Sequence, residues 1–591
     1  MAPAAASGSS GRLVNALFRR QLHRYPRTAS RYGYLAIVVA TTITLYYLYY
    51  VEGAVLPLML PSYHMSFQYF LYVIVISNAI GAFTAFIGGL SDKIGRANLT
   101  IYGTLVVGLV QLLALPNTHT KLAFGIAYSV IGFAEGVILV STPALIRDFS
   151  PQVGRGTAMG FWALGPTMGA LAASLVATHT LTHLAPFEDQ FIISGVACMA
   201  VVLISFLFLR ELAPQLRHQL MVSERERTLV EARAMGIDVE KAIAHPWRSM
   251  VKLDLIASSL AISIFLLFYY ASVSVLTLYW VVIFGRSTPD ANAINVWYAA
   301  FLSGALVFFG MLSDRFRVRK PFMIIGSVAT IVAMVFLILQ VDDPHVGYYS
   351  NVIIMVVLAI TAGCTYSPWM ASYTEQIESH NPALTATGLA VWGWILRIVV
   401  AISFLVLPRV ITTSTTLVNN QSAATALQAI QASVPYAPGA SGCASKQAPR
   451  SVLAALDATK EPGPVTLARL IGACNQTHSL AGALSAAGGL ANPQVQGLLA
   501  YQPLALQISK GQTVSAATID SKVGVHSSDL ANLLFAEQKV LPAKSASPGE
   551  WKRWWGVCIG AQAIFLGLVF LMRAVGARGG PSRTSKNTSA S

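Results

Sequence analysis

Charged residues are scarce in this chain. Asp, Glu, Lys and Arg make up only 11% of its 591 residues, whereas soluble domains contain about 25%. Hydrophobic residues account for 55%. This deficit of charge excludes an ordinary soluble globular protein and indicates an integral membrane protein.

Several chemical signatures are missing from the sequence. No glycine-rich phosphate-binding loop is followed by Lys and Ser or Thr, so the machinery of an ATP-driven pump is lacking. The five cysteines and eleven histidines form no cluster with metal-ligand spacing. We therefore expect no enzyme activity, no cofactor and no bound metal. The segment before Tyr34 holds six arginines and no apolar run, so we expect no cleaved signal peptide.

The sequence instead contains twelve apolar segments of roughly membrane length. About 20 apolar residues cross a bilayer as a helix, and helices satisfy their backbone hydrogen bonds internally there. We predict an all-α integral membrane protein with twelve transmembrane helices in two pseudo-symmetric bundles of six. The segments are 34–56, 67–90, 99–115, 122–145, 157–177, 191–209, 255–284, 296–312, 322–339, 350–370, 389–411 and 554–571.

The distribution of basic residues predicts the orientation in the membrane. The formal net charge is +15, and most Lys and Arg fall in segments that lie on one side if the N-terminus is cytoplasmic. The short loops on the other side hold only Lys121 and Arg286. This asymmetry obeys the positive-inside rule, so the charge indicates topology and no nucleic-acid partner is expected.

Seven regions follow from this reading. We predict a basic cytoplasmic N-terminus, a first six-helix bundle, a cytoplasmic central loop that tethers the two bundles, helices seven to eleven, an external insertion rich in Ala and Ser, helix twelve and a disordered cytoplasmic tail. Their bounds are 1–33, 34–209, 210–254, 255–411, 412–550, 551–575 and 576–591.

The external insertion departs from the symmetry of the two halves. It contains Cys443 and Cys474, and two cysteines in an oxidising compartment suggest a disulfide. Three of its segments have helical periodicity, which indicates a small helical cap. Its low sequence complexity also fits a poorly ordered loop.

A charged turn occurs twice in the chain. Gly88-Gly89-Leu90-Ser91-Asp92-Lys93-Ile94-Gly95-Arg96 follows the second apolar segment, and Gly310-Met311-Leu312-Ser313-Asp314-Arg315-Phe316-Arg317 follows the eighth. A weaker repeat pairs the stretch from Asp148 to Gly156 with the stretch from Glu378 to Gly388. The two halves therefore look like products of a duplication, with Arg317 in the place of Gly95.

These turns, their positions and the count of twelve segments resemble the major facilitator superfamily of secondary transporters. The resemblance covers the chain except 412–550. It implies that Gly88, Asp92 and Arg96 latch an outward-open state with Asp148 as partner, and that Asp314 belongs to the second copy of the latch. The alternative is that the basic residues of the turn only set orientation.

Two further motifs resemble subgroups of this superfamily. The loop with Asp148 and Arg155 resembles that of sugar and organic-ion porters. Gly165-Pro166-x-x-Gly169 resembles the core of a drug/proton antiporter motif, although Phe161 replaces its first glycine. The alternative is that these Gly and Pro residues only allow close packing and a slight bend of the helix.

Ionisable residues inside a bilayer are costly and are functional candidates. Glu135 lies mid-way along the fourth segment, where loss of hydration favours uptake of a proton, so we assign it as proton carrier. Arg397 lies mid-way along the eleventh and would bind an anionic group. Glu52 is a second acid or outer gate. Alternatively, Glu135 and Arg397 form a buried pair across the two halves, or each pairs with backbone and water. Glu52 would then simply reach external water.

The resemblance also implies that helices one, four, seven and ten line a central cavity. Aromatic residues on these helices would then face the substrate, although packing or an interfacial belt explains such residues too. The candidates are Tyr49, Tyr128, Tyr269, Tyr366 and Trp369.

We expect a monomeric secondary active transporter in the plasma or inner membrane, with both termini cytoplasmic. It would move a small organic solute by alternating access, coupled to a proton. The alternatives are efflux by a drug-type proton antiporter, or a non-transporting receptor or envelope scaffold that uses the insertion.

Overall fold

Twelve long helices dominate the computed structural model, which describes residues 20–86, 95–150, 155–182, 186–217, 219, 250–343, 346–381, 385–420 and 539–571. All twelve are long and apolar enough to cross a membrane, which confirms the predicted count. The helices of spans one to six are Thr28–Ser62, Phe67–Phe86, Arg96–Leu109, Lys121–Phe149, Arg155–Ala163 with Gly165–Thr180, and Asp189–Phe208. Those of spans seven to twelve are Leu253–Phe265 with Leu267–Phe284, Thr288–Phe316, Lys320–Gln340, Tyr348–His380, Thr385–Val410 and Leu541–Leu571.

Most of these helices extend beyond the apolar segments that predict them. Span one begins at Thr28 and span twelve at Leu541, each ahead of the apolar segment that predicts it. A side-chain cap is described at span four, where the Thr120 hydroxyl accepts a hydrogen bond from the Ala123 N–H at 3.2 Å. Span three ends in a π-turn, Val110–Ala114, and a 3₁₀ turn, Leu115–Asn117.

Spans five and seven are each broken into two helical segments. In span five the break falls at Leu164, directly before Gly165 and Pro166, where proline lacks the N–H that would continue the helix. In span seven it falls at Leu266. Each of these spans can therefore pack differently at its two ends.

The spans alternate in direction, so the bundle has two faces. We call the face that holds Thr28 the terminal face and the face that holds Ser62 the far face. A short parallel pairing joins Gln21–Leu22 to Glu211–Leu212 at the terminal face. It ties the chain before span one to the chain after span six.

Among the described residues the two halves meet mainly along three pairs of spans, one with seven, two with eleven and five with eight, with a smaller contact between spans one and eight. In spans five and seven, the segments nearer the far face, Gly165–Thr180 and Leu267–Phe284, make these contacts. The segments nearer the terminal face, Arg155–Ala163 and Leu253–Phe265, pack mainly within their own halves. The halves are thus joined most closely towards the far face.

A second compact unit comprises Thr413–Gly549. Its described part includes a short helix, Ser414–Asn419. Cys443 and Cys474 lie outside the described residues, so their disulfide stays a prediction. Cys198, Cys364 and Cys558 are free and buried.

Candidate substrate and coupling site

Glu135 is placed by two glycines on one face of span four. A Cβ on Gly132 would meet the Ser77 hydroxyl at 2.1 Å, and a Cβ on Gly136 would meet the Gly81 carbonyl at 2.2 Å. Only glycine permits so close an approach of spans two and four. Glu135 lies between these contacts and is only 5% exposed.

Gly81 brings the acid close to a base from the other half. A Cβ built at Gly81 would lie 3.1 Å from Glu135 Oε2 and 3.4 Å from Arg397 Nη1. The carboxylate and the guanidinium therefore approach the same point beside Gly81 of span two, although among the described residues the two groups form no direct ion pair. This arrangement differs from the simple buried pair considered from the sequence.

Arg397 lies where spans two and eleven meet. Its Nη1 donates a long hydrogen bond of 3.5 Å to the carbonyl of Asn78, which is the one hydrogen bond found for this side chain among the described residues. Its electrostatic neighbours are Glu135, Tyr46, Tyr49 and Tyr270. A guanidinium carries five N–H donors in a planar fork, so most of its donors remain available to a carboxylate or phosphate.

Tyrosines and an amide continue the polar surface towards the far face. Asn78 Nδ2 donates to the Tyr49 hydroxyl at 3.0 Å, and the Tyr49 ring stacks on Tyr128 with centroids 5.5 Å apart. The Tyr128 hydroxyl donates to the Tyr49 carbonyl at 3.4 Å. The structure thus brings four predicted residues, Glu135, Arg397, Tyr49 and Tyr128, into one region.

The other predicted aromatic residues are Tyr269, Tyr366 and Trp369, and Tyr269 lies beside Tyr270, a neighbour of Arg397, with ring centroids 5.3 Å apart. Tyr269 of span seven is half-buried near Tyr50 of span one. Trp369 is fully buried, and its indole N–H donates to the Ser258 hydroxyl at 3.1 Å. Tyr366 packs on Trp369. The expectation that Trp369 faces a cavity is therefore wrong, because it fills the hydrophobic core of the second half.

Glu52 does not reach water at the far face in this structure. Its side chain is only 1% exposed, and neither carboxylate oxygen has a hydrogen-bond partner on another described residue. The sequence-based alternative of an external, hydrated acid is corrected by this burial.

The contact between halves is tight beside Glu52. A Cβ on Gly53 would meet the Val273 carbonyl of span seven at 2.4 Å, and Asn292 Nδ2 of span eight donates to the Ala54 carbonyl at 2.9 Å. These contacts close the far face over the region of Tyr49 and Tyr128.

The predicted latch residues of the first half converge at the terminal face. Arg96 Nη1 lies 2.7 Å from Asp148 Oδ1, and Arg217 Nε lies 3.6 Å from Asp148 Oδ2. Arg217 also lies 3.9 Å from Glu211, which accepts the Ala97 N–H at 3.3 Å. All of these groups belong to the first half or to the segment that follows it, so they brace that half internally.

Burial changes the acidity of Glu211 in this cluster. It raises the pKa of Glu211 above its ordinary value of 4.5, although the N–H of Ala97 and the charge of Arg217 act in the opposite direction. Gly88 and Asp92 lie outside the described residues. Span five begins at Arg155, whose side chain is outside the description as well. Their roles in a latch therefore stay predictions.

The second half repeats this arrangement with different residues. Arg319 Nη1 lies 2.5 Å from Asp314 Oδ1, and Arg319 Nη2 lies 2.9 Å from Glu375 Oε1. The equivalent of Asp148 is thus Glu375, one turn before the Glu378 that the sequence repeat suggested.

Sequence reasoning missed several residues of these clusters. Asn78 could have been noticed as a polar residue in an apolar span, and Glu211 with Arg217 as charges directly after span six. Gly81 carries no polar signal, because its importance lies in the space it leaves. Among the described residues no group of three or more His, Cys, Asp and Glu could hold a metal ion.

Comparisons with known proteins agree with this architecture. The family model of the Major Facilitator Superfamily matches residues 35–404. An MFS transporter, asaE, from Aspergillus flavus is 32% identical over 118 residues, which are 19% of this chain and 26% of that protein. The match thus spans about a quarter of the length of that curated relative.

Solved structures share the fold at low sequence identity. A bacterial homolog of the human lysosomal transporter Spinster, inward-facing and occupied, has a TM-score of 0.54 at 14% identity, covering 94% of this chain and 100% of that one. A POT family transporter in complex with 5-aminolevulinic acid has a TM-score of 0.51 at 13% identity, covering 68% and 95%. With the family model matching more than half of its length, this chain belongs to the major facilitator superfamily.

Proposed function

We propose that the protein is a proton-coupled secondary transporter of a small organic solute that carries an anionic group. The observation that supports this most is the position of Glu135 and Arg397 close together beside Gly81, where spans two and eleven of the two halves meet. One acid and one base at such a contact can respond to both a proton and an anion.

The charges suggest how the two ligands are coupled. An ionised Glu135 attracts the positively charged Arg397. The attraction is strong because both groups are largely removed from water, which screens it only weakly. Protonation of Glu135 removes that attraction and leaves the Arg397 donors to a substrate anion. Binding of a proton and binding of an anion would then favour each other.

The surroundings of the two charges fit an organic solute. Tyr46, Tyr49 and Tyr270 lie within electrostatic range of Arg397, and each offers an apolar ring with one hydroxyl. Such a lining accommodates a carbon skeleton while its hydroxyl groups hydrogen-bond polar substituents. An inorganic anion has no carbon skeleton to pack against the tyrosine rings, so an organic solute fits this lining better.

The contacts between halves support alternating access. Span one meets span seven at Gly53, and span eight meets span one at Ala54, both towards the far face. The terminal-face segments of spans five and seven pack mainly within their own halves. With the N-terminus in the cytoplasm, as the basic residues favour, this is an arrangement closed to the outside.

Purified full-length protein in liposomes tests this function. With an imposed pH gradient, acid outside, we expect accumulation of at least one member of a panel of organic carboxylates, with proton entry reported by an internal pH dye. Glu135→Gln should abolish accumulation against a gradient but retain exchange of labelled for unlabelled solute. Arg397→Ala should lose both.

Two controls make this experiment decisive. Asp290→Asn changes an exposed acid at the far face and should leave uptake within about twofold. Gradient-driven accumulation that persists in Glu135→Gln contradicts the carrier role. Absence of proton movement with every solute of the panel contradicts proton-coupled transport itself.

A further inference from the structure

Glu52 is an ionisable residue that the proposed coupling site does not use. It lies in the stretch Tyr50–Pro57 of span one, all of which is buried. Both carboxylate oxygens are buried without a hydrogen-bond partner on another described residue. A carboxylate in such surroundings would lose its hydration and keep only the interaction with its own backbone, so the neutral, protonated form is favoured.

The groups around Glu52 cannot replace the lost hydration. Tyr49 and Tyr63 on its own helix and Tyr128 on span four lie within electrostatic range. Spans three, five, six, seven and eight also pack against span one, but among their described residues no charged group acts on Glu52. Neutral phenol groups do not compensate a negative charge as a basic residue would.

The position of Glu52 connects its burial to the closure of the far face. The next residue, Gly53, meets the Val273 carbonyl of span seven, and Ala54 accepts the hydrogen bond of Asn292. These contacts join the two halves directly beside Glu52. Separating them would expose this part of span one to water from the far side.

We propose that Glu52 is a second proton-binding site, which makes closure of the far face depend on protonation. Glu52 carries a proton when the halves meet at Gly53 and releases it when they part and water reaches its carboxyl group. This inference rests on the alternating-access part of the proposed function and does not require Glu135 to carry the coupled proton.

The direction of the pH effect follows from proton linkage. The closed state holds one proton more than the open state, so low pH favours closure and rising pH favours opening. For one proton, the equilibrium constant between the two states changes by up to about tenfold per pH unit. Replacing Glu52 with a neutral residue should remove this dependence and keep the far face closed.

Pulsed electron paramagnetic resonance on the full-length protein in detergent tests the proposal. Spin labels are attached through Ser62→Cys and Asp290→Cys, two exposed far-face positions of opposite halves. Cys443 and Cys474 are replaced by serine, and the described native cysteines are buried. The distance distribution is recorded between pH 5 and pH 9 without substrate.

We expect a short distance at low pH and a growing long-distance population as pH rises. Glu52→Gln should keep the short distance throughout, and Glu52→Met, of similar length, serves as a second variant if the amide folds poorly. Asp342→Asn, which neutralises an exposed acid outside the coupling site, is the matched control and should retain the pH response. A response that is unchanged in both Glu52 variants, or absent from the parent protein, overturns the proposal.

The spin-label experiment and the transport assay can fail independently of each other. The distances are measured without solute and without a gradient, so a protein that moves no solute can still show closure that depends on Glu52. Conversely, accumulation that fails only in Glu135→Gln leaves the proposed function standing whatever the distances show.

Discussion

Glu135 and Arg397 approach the same point, the position that a Cβ would take on Gly81. They come from opposite halves of the protein, on spans four and eleven, and both lie beside the small residue Gly81 of span two. Their charges therefore interact without forming a direct ion pair. A relative movement of the halves, or a change in the charge of Glu135, alters that interaction.

Gly81→Ala should disturb both charged groups at once. The new methyl group would lie 2.9 Å from the Gly132 carbonyl, 3.1 Å from Glu135 Oε2 and 3.4 Å from Arg397 Nη1. Overpacking of this kind costs about 1–3 kcal/mol, so we expect uptake by proteoliposomes to fall about tenfold or more.

A glycine on the same helix as Arg397 provides the matched control. A Cβ on Gly393 would meet no heavy atom within 4 Å, so Gly393→Ala should retain uptake within about twofold. Equal activity of the two variants would show that the space at Gly81 is not needed for transport.

Gly53→Ala should hold the far face apart. A methyl group there would stand 2.4 Å from the Val273 carbonyl and 3.2 Å from that of Ser274, and backbone atoms cannot rotate away. We expect the spin-label distance between positions 62 and 290 to lengthen at every pH and net uptake to fall. Gly560→Ala, where a Cβ would meet nothing, should behave as the parent. An unchanged distance in Gly53→Ala argues that this contact does not set the closure.

Glu211 should make stability depend on pH at the terminal face. Its pKa is raised by burial above the ordinary 4.5, so the folded state binds the proton more tightly than the unfolded state. Stability therefore falls as pH rises from about 4.5 through the raised value. Glu211→Gln keeps an acceptor for the Ala97 N–H. Between pH 4.5 and 7.5 its melting temperature should fall less than that of the parent protein, with a difference of about 1–3 °C. Glu188→Gln serves as the control and should behave as the parent. If the melting temperatures of the parent and of Glu211→Gln fall equally between pH 4.5 and 7.5, the prediction is contradicted.

The repeated turn shows what a sequence can and cannot predict. Its recurrence indicates the duplication, but Arg317 in the place of Gly95 gives no sign of the backbone shape. The structure has positive φ at both positions, 105° at Gly95 and 54° at Arg317. Arg317 has the left-handed conformation, with ψ 32°, whereas Gly95 has ψ 131°. The left-handed conformation costs a non-glycine residue roughly 1–2 kcal/mol, so the two copies share a positive φ but differ in backbone shape.

Side-chain directions within the spans were harder to predict. The spans and the intramembrane charges stand out by composition, whereas a helix that is apolar all round offers no face to orient it. Trp369 and Glu52 illustrate this, because burial inside one half and exposure to a cavity look alike in sequence. Gly81 acts through the side chain it lacks, which only packing reveals.

Asp148→Asn should impair the protein more than Asp314→Asn, although the two acids lie in equivalent clusters. The side chains of Arg96 and Asp148 are 12% and 6% exposed, whereas that of Asp314 is 67% exposed. Breaking a buried ion pair costs about 3–5 kcal/mol, because one charge is left uncompensated. An exposed pair contributes about 1 kcal/mol or less.

Thermal unfolding in detergent and initial uptake rates measure this difference. We expect Asp148→Asn to lower the melting temperature by several degrees and to reduce uptake strongly, because Arg96 and Arg217 both lose their shared acid. In the second half Arg319 keeps Glu375 when Asp314 is neutralised, so Asp314→Asn should remain close to the parent in both measurements. Equal losses in the two variants would mean that burial does not decide the strength of these clusters. The duplicated halves would then depend equally on their terminal-face acids.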